Sequence, residues 1–279
     1  MLRRSLLLGT GAGLLTLPAI RAARAEDTLD KVKKAGVLNV GTEAAYVPYE
    51  FIKDGQIVGY DVDIANHLLP KINVKSHFID TAWNGIIPAL YANKFDCIIS
   101  GMTMTKDRAA KVLFTQPYAD ASLMILTRAN DDKIKTADDL SGKVIGVQLG
   151  SAAADIMGKF ETKLKASGKP GYAGVKQYDH YPEAYQDLLN GRTEAVINSR
   201  STLMVLMRDT PGKFKMGAPV SDIPAYYGMA FRKEDTALCK FFNDGLTEMK
   251  KDGSLVDLQK KWFGSTMETP DKVPEVLPG

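Results

Sequence analysis

Only two cysteines and three histidines occur among the 279 residues of this chain, and that scarcity excludes several chemistries at once. His67, His77 and His180 stand far apart, there is no HExxH, and no cysteine pair has zinc-finger spacing, so no metal centre is expected. Cys97 and Cys239 each lie in an apolar segment and read as separate buried thiols, although an oxidising compartment would permit them to pair. Ser151 has no GxSxG elbow around it. The closely spaced Gly9, Gly11 and Gly13 fall in an apolar run near the N-terminus and say nothing about dinucleotides. No cofactor is expected.

Positive charge is also missing once its location is considered. Lys and Arg number 36 against 33 acidic residues. Four of the basic residues, Arg3, Arg4, Arg21 and Arg24, fall in the first 25 positions, which hold no acidic group; the remainder carries 32 basic and 33 acidic residues, a net −1. No basic excess is left to meet phosphates, so a nucleic-acid partner is not expected. The first 25 residues read as an export leader. A basic start, the apolar run LLLGTGAGLLTLPAI and a closing Ala-Arg-Ala predict cleavage before Glu26. Arg3-Arg4 followed by Ser-Leu-Leu resembles a twin-arginine signal, but two arginines suit any basic leader. The run is too short and too rich in glycine for a transmembrane helix, and no later stretch can span a bilayer. The mature chain is expected to be soluble and periplasmic.

From about residue 37, strand and helix patterns alternate. VLNVGT is β-rich, FIKDGQIVGY is a hairpin around Asp54-Gly55, and DVDIANHLL has helical spacing up to Pro70. KSHFID is a strand, NGIIPALYAN places Ile86, Ile87, Leu90 and Tyr91 on one helical face, and FDCIIS leads to Thr105 as an N-cap. The grammar then repeats. Thr136 and Asp139 form a capping box, followed by strand KVIGVQ, helix GSAAADIMGKF, strand GVKQYD, helix PEAYQDLLNG, strand TEAVINS and a helix-like TLMVLM. IPAYYGMAFRK reads as extended, two helices near 235–250 and 253–263 follow, and the proline-rich tail is irregular. This is βαβ grammar in two units of similar kind, each a mainly parallel sheet with helical cover. Ligands in such sheets sit beyond the carboxyl ends of strands, which nominates Thr42–Tyr46, Ser100–Arg108, Gly150–Ala153 and Asn198–Arg200.

The most telling of these stretches is SGMTMTKDR, Ser100 to Arg108. Gly101 lets backbone approach a ligand, the hydroxyls of Thr103 and Thr105 donate or accept, and Arg108, one turn into a helix, offers a planar fork matched to a carboxylate. The helix N-terminus adds partial positive charge. Alone, the same residues would also describe a capped helix with a solvated arginine.

GTEAAYVPYEF, GYDVDIA, WNGIIPAL and SGMTMTKDRAAKVLFTQPY occur in this order and spacing, and they resemble the polar amino-acid-binding proteins of ABC transporters, the family-3 extracytoplasmic solute receptors. The likeness covers nearly all of residues 30–265. It implies the α/β fold of a type II periplasmic binding protein, with two lobes joined by crossing strands near 119–124 and 224–229 and closing on one small ligand. Residues 26–119 and 227–279 would form the first lobe and 120–226 the second, after the signal peptide 1–25. The implied partners are an amino acid or derivative and an inner-membrane ABC permease, with the receptor itself a monomer. Arg108 matches the arginine that pairs with the ligand's α-carboxylate. Gly101 and Thr103 match partners of the α-amino group, with Ser100 beside them. Tyr46 and Trp83 match aromatics that sandwich the ligand, and Ser151 and Ala152 match a second-lobe turn whose amides meet the carboxylate. Glu43 stands where relatives place an acid that contacts the ligand's side chain.

One position departs from the pattern. Where Ser199 stands, the family usually has an aspartate that neutralises the α-ammonium, and serine supplies no charge. Either Asn198, Ser199 and Glu43 share that task, or the ligand lacks a free α-amine, as in an opine or sugar conjugate. The other function left open is catalysis on the same scaffold: periplasmic cyclohexadienyl dehydratases resemble these receptors, and Glu43 would be the general acid.

Overall fold

The computed structural model describes residues 27–278; the leader and its cleavage point before Glu26 lie outside the described residues. The alternating pattern resolves into two five-stranded sheets. In the first, Val37–Thr42 lies between Lys75–Asp80 and Cys97–Ile98, all parallel. Ala230–Phe231 then adds antiparallel beside Cys97–Ile98, and Leu113–Phe114 pairs on its far side. In the second, Gly174–Tyr178, Val144–Gln148 and Ala195–Ser199 run parallel, and Leu123–Arg128 joins antiparallel, followed by Phe214–Pro219. Both sheets are therefore mixed, with a parallel trio on one side. Between them the chain crosses twice, and the two passages pair as a short antiparallel ladder, Ala119–Asp120 with Tyr226–Tyr227. That ladder falls inside the two stretches expected to cross.

Local chemistry explains the elements. Asp54 and Gly55 both adopt positive φ, 52° and 76°, and turn the hairpin Glu50–Lys53/Gln56–Val58. Thr105 caps Lys106–Ala109, Ser151 caps Ala152–Ala166 and Ser199 caps Arg200–Asp209, each hydroxyl accepting a first-turn N–H. The capping box of Thr136 and Asp139 is formed. Tyr91 departs from its expected place: on the last turn of the six-residue helix Ile86–Tyr91 it lies exposed, its hydroxyl reaching the Lys111 carbonyl, while Ile86 and Leu90 alone are buried. The helix Thr28–Ala35 and the strand Phe214–Pro219 have no counterpart in the sequence reading.

Leu38, Val40, Ile64, Leu68, Phe231 and Phe242 fill the core of the first sheet, and Ile125, Ile145, Val147, Ala195 and Ile197 that of the second. Each such aliphatic or aromatic side chain contributes about 1.5–3 kcal/mol by leaving water. Cys97 and Cys239 are buried free thiols, the first raised by burial and the second pushed up to about 11 for the same reason. Neither should react with a thiol reagent at neutral pH in the native protein, and both should react after denaturation. Rapid labelling of native protein would show that the thiols are not enclosed.

Candidate functional site

The parallel strands of the two sheets end on facing edges, and the loops that leave them line a cavity between the sheets. Glu43, Tyr46, Trp83, Ser100, Gly101, Thr103, Arg108, Ser151 and Ala152 all line it. Ser199 does not. Successive strand residues point to opposite faces. At the end of Ala195–Ser199 it is Asn198 that lines the cavity, while the Ser199 hydroxyl caps the next helix and donates to Thr202 Oγ1 at 3.0 Å. It touches the site from behind, 3.2 Å from the Tyr46 hydroxyl.

Arg108 dominates the electrostatics. Its guanidinium donates to the carbonyls of Thr103 and Gly150, both at 3.1 Å, and lies over the Trp83 ring, 5.1 Å from the centroid. Among the described residues no carboxylate comes within ion-pair distance of it. Burial lowers its pKa to about 10, so it remains a cation at neutral pH. A buried cation with donors to spare is costly unless an anion meets it.

Gly101 adopts φ +43°, and a Cβ there would stand 2.9 Å from the Tyr46 ring, so glycine brings the loop against the aromatic wall. The Ser100 hydroxyl is directed into the wall: it donates to Glu50 Oε1 at 2.7 Å and accepts from the Glu43 amide at 3.0 Å. The Thr103 hydroxyl makes no hydrogen bond to another described residue. Ser151 accepts from the Ala154 amide at 3.1 Å, and the first-turn amides of Ala152–Ala166 face no intrahelical acceptor.

Glu43 is buried and engaged on both oxygens. His180 Nδ1 lies 2.5 Å from Oε1, and Gln148 Nε2 donates to Oε2 at 2.8 Å. Burial holds the carboxyl above its ordinary value, and the His180 and Gln148 hydrogen bonds partly offset this. The hydrogen bond to Glu43 in turn raises His180, whose ring is partly open to solvent. The contact joins a loop of the first sheet to one of the second. Other bridges do the same: Trp83 Nε1 donates to the Gly150 carbonyl at 3.0 Å, the Tyr46 hydroxyl donates to Asn198 Oδ1 at 2.8 Å, and Tyr49 and Ser201 hydroxyls meet at 2.7 Å.

Asn198, from a nominated strand-end stretch, lines the cavity too; Gln148, Tyr181 and Tyr227 also line it, and His180 backs Glu43, without having been singled out for those roles from sequence. Gln148 was reachable by the same strand-end rule that nominated Asn198, since it too lies at the end of a parallel strand. Tyr227 sits on a crossing passage, where no such rule applies.

A family profile described as bacterial extracellular solute-binding proteins, family 3, matches residues 38–265. The L-cystine-binding protein TcyJ of Escherichia coli K12 is 34% identical over 268 residues, covering 95% of this chain and 97% of that protein. ABC transporter arginine-binding protein 1 of the same organism is 31% identical over 231 residues, 81% of this chain and 90% of that one. Among solved structures, an ancestral arginine-binding protein bound to arginine superposes with TM-score 0.73 at 37% identity, covering 82% of this chain and 99% of that one. The ancestral amino acid-binding protein AncCDT-1, a precursor of cyclohexadienyl dehydratase, gives 0.74 at 36% identity, with 85% and 99% covered.

Proposed function

The chain belongs to the bacterial extracellular solute-binding proteins of family 3, and on that premise we propose that it captures a polar amino acid, or a derivative of one, in the cavity between its sheets. The observation that carries this reading is Arg108: a buried guanidinium on the cavity wall that makes no ion pair with a carboxylate among the described residues. A ligand carboxylate completes it, assisted by the first-turn amides after Ser151. Thr103 and the Gly101 backbone are placed for the amine end, and Tyr46 and Trp83 for the apolar faces of the ligand. The receptor works as a monomer in the periplasm and hands its cargo to an inner-membrane ABC permease. The lobes, 26–119 with 227–279 and 120–226, close about the ladder Ala119–Asp120/Tyr226–Tyr227.

A thermal-shift screen of the mature protein tests this. The panel holds the twenty amino acids, cystine, ornithine, citrulline, several opines and prephenate. A ligand at a hundred times its dissociation constant adds about 2.7 kcal/mol, a rise of about 5–10 °C. No shift with any α-amino acid or opine would overturn the reading. Binding rather than catalysis fits Glu43, whose two oxygens are held by His180 and Gln148 and leave none free to protonate a leaving group. Turnover of prephenate would overturn that part.

Glu43 and His180 also make affinity depend on pH. Both hold protons more tightly in the closed arrangement than when parted in water, so closure takes up protons. The gain from His180 is complete below its ordinary value of 6.5 and is lost as pH rises through the raised one. Ligand affinity should therefore be weaker at about pH 8.5 than at about pH 6, and His180→Asn should flatten the profile. Equal profiles for both proteins would remove the pair from closure.

A further inference from the structure

Directly behind the Ser100–Gly101 wall lie two carboxyl groups that the site as described does not use. Glu50 begins the strand Glu50–Lys53, Asp61 stands in the first turn of Tyr60–Leu68, and both are completely buried. They are neighbours close enough for each to shift the other's proton affinity. Glu50 Oε1 accepts the Ser100 hydroxyl at 2.7 Å, and Asp61 Oδ2 accepts the Gly101 amide and the Tyr118 hydroxyl, both at 2.9 Å. Among the described residues no Lys, Arg or His pairs with either group. The titratable groups facing them are Glu43, Tyr46, Tyr49, Tyr60 and Tyr118, which bring no positive charge.

Counting donors fixes the proton content. Glu50 Oε2 and Asp61 Oδ1 are left buried without a partner. With no proton, two neighbouring ionised carboxyls would stand in a dry interior with no cation beside them, which is costly. With two, the second proton would need an acceptor, and Asp61 Oδ2 already serves two donors. One proton shared between the pair gives the two unpartnered oxygens a donor and an acceptor. Burial raises both groups, which favours keeping a proton on the pair.

We propose that Glu50 and Asp61 share one proton, and that the single negative charge kept on Asp61 behind Gly101 supplies the counter-charge for the ligand's ammonium. This rests on the reading of the cavity as an amino-acid site. It answers the want of an acid at Ser199, which neither carries charge nor faces the ligand. The charge reaches the cavity through one peptide unit, whose N–H points to Asp61 while Gly101 lines the wall. Asp61 thus acts as a positioning and charge-supplying residue without touching the ligand.

The proton is tested first and without ligand. Carboxyl-carbon NMR of protein labelled on Glu and Asp side chains should show a buried protonated carboxyl at neutral pH that disappears in Glu50→Gln. Finding none in the parent protein, or finding it intact in the variant, overturns the shared proton. Calorimetry with L-arginine, L-cystine and the deaminated analogue of whichever binds tests the charge. Glu50→Gln keeps the charge and a donor to Asp61, so amino-acid affinity should change by less than about threefold. Glu50→Gln with Asp61→Asn removes the charge and should cost the amino acid about tenfold or more, and the deaminated analogue less than about threefold. Equal losses for both ligands, or no loss, overturn the counter-charge. If the parent protein binds neither probe nor any other amino acid, the ammonium role falls with the proposed function, while the NMR result still decides the proton.

Discussion

Arg108→Ala should abolish most of the affinity for carboxylate ligands. Two fork hydrogen bonds and a desolvated charge are lost together, a cost of about 2–5 kcal/mol, or roughly 30- to 4,000-fold in dissociation constant. The unliganded protein should barely notice. Its guanidinium donates to two carbonyls and rests on Trp83, but burying it without a carboxylate costs about as much, so the melting temperature should move by no more than about 3 °C. Arg108→Lys, which keeps the charge and loses the planar fork, should fall between the two. Calorimetric titration and thermal denaturation of the three proteins decide the matter. Unchanged affinity in Arg108→Ala would take Arg108 out of the site, and with it the observation on which the proposed function stands.

Gly59→Ala should do the opposite, with a loss of stability as its first effect. Gly59 adopts φ +147°, which side chains rarely tolerate, and an added Cβ would lie 2.1 Å from the Tyr49 carbonyl oxygen and 2.9 Å from the Glu50 nitrogen. Backbone, not a flexible side-chain tip, stands in the way. The Tyr49 carbonyl accepts the Asp61 amide at 3.0 Å, so the clash pries apart the segments that seat Glu50 and Asp61. A cost of at least about 3 kcal/mol follows, which lowers the melting temperature by about 6–12 °C. Ligand affinity should drop as well, because Ser100 and Gly101 rest on those two carboxyls. A variant as stable as the parent would mean that the turn relaxes freely, and the glycine would then lose its structural explanation.

Much of this architecture can be read from the chain because its signals are local. The Asp54-Gly55 hairpin and the hydroxyl caps at Thr105 and Ser151 are short-range chemistry, and so are the β-rich runs ending in small residues. Nine of the ten nominated residues line one cavity for the same reason: parallel strands end on one edge, so strand ends far apart in sequence become neighbours. What escaped is what depends on direction or distance. TEAVINSR places both Asn198 and Ser199 at a strand end, but only the pleat decides that Asn198 faces the cavity. Glu43 looks like a free acid until a histidine 137 positions away closes on it. Phe214–Pro219 is masked by Pro211, Gly212, Gly217 and Pro219, which read as a loop, and it survives as an edge strand because only its inner side needs partners.

The order of strands also sets a timetable for assembly. Every strand of the second sheet comes from one continuous stretch, Leu123 to Pro219, so it can form as soon as that stretch is available. The first sheet cannot. Ala230–Phe231 wedges between Cys97–Ile98 and Leu113–Phe114, so its centre stays open until a much later part of the polypeptide arrives. Closing so long a loop is slow, and until it closes the backbone edges of Cys97–Ile98 and Leu113–Phe114 lie bare and prone to mispairing. In a molecule emerging N-terminus first, all strands of the second sheet are therefore present before the last strand of the first sheet arrives.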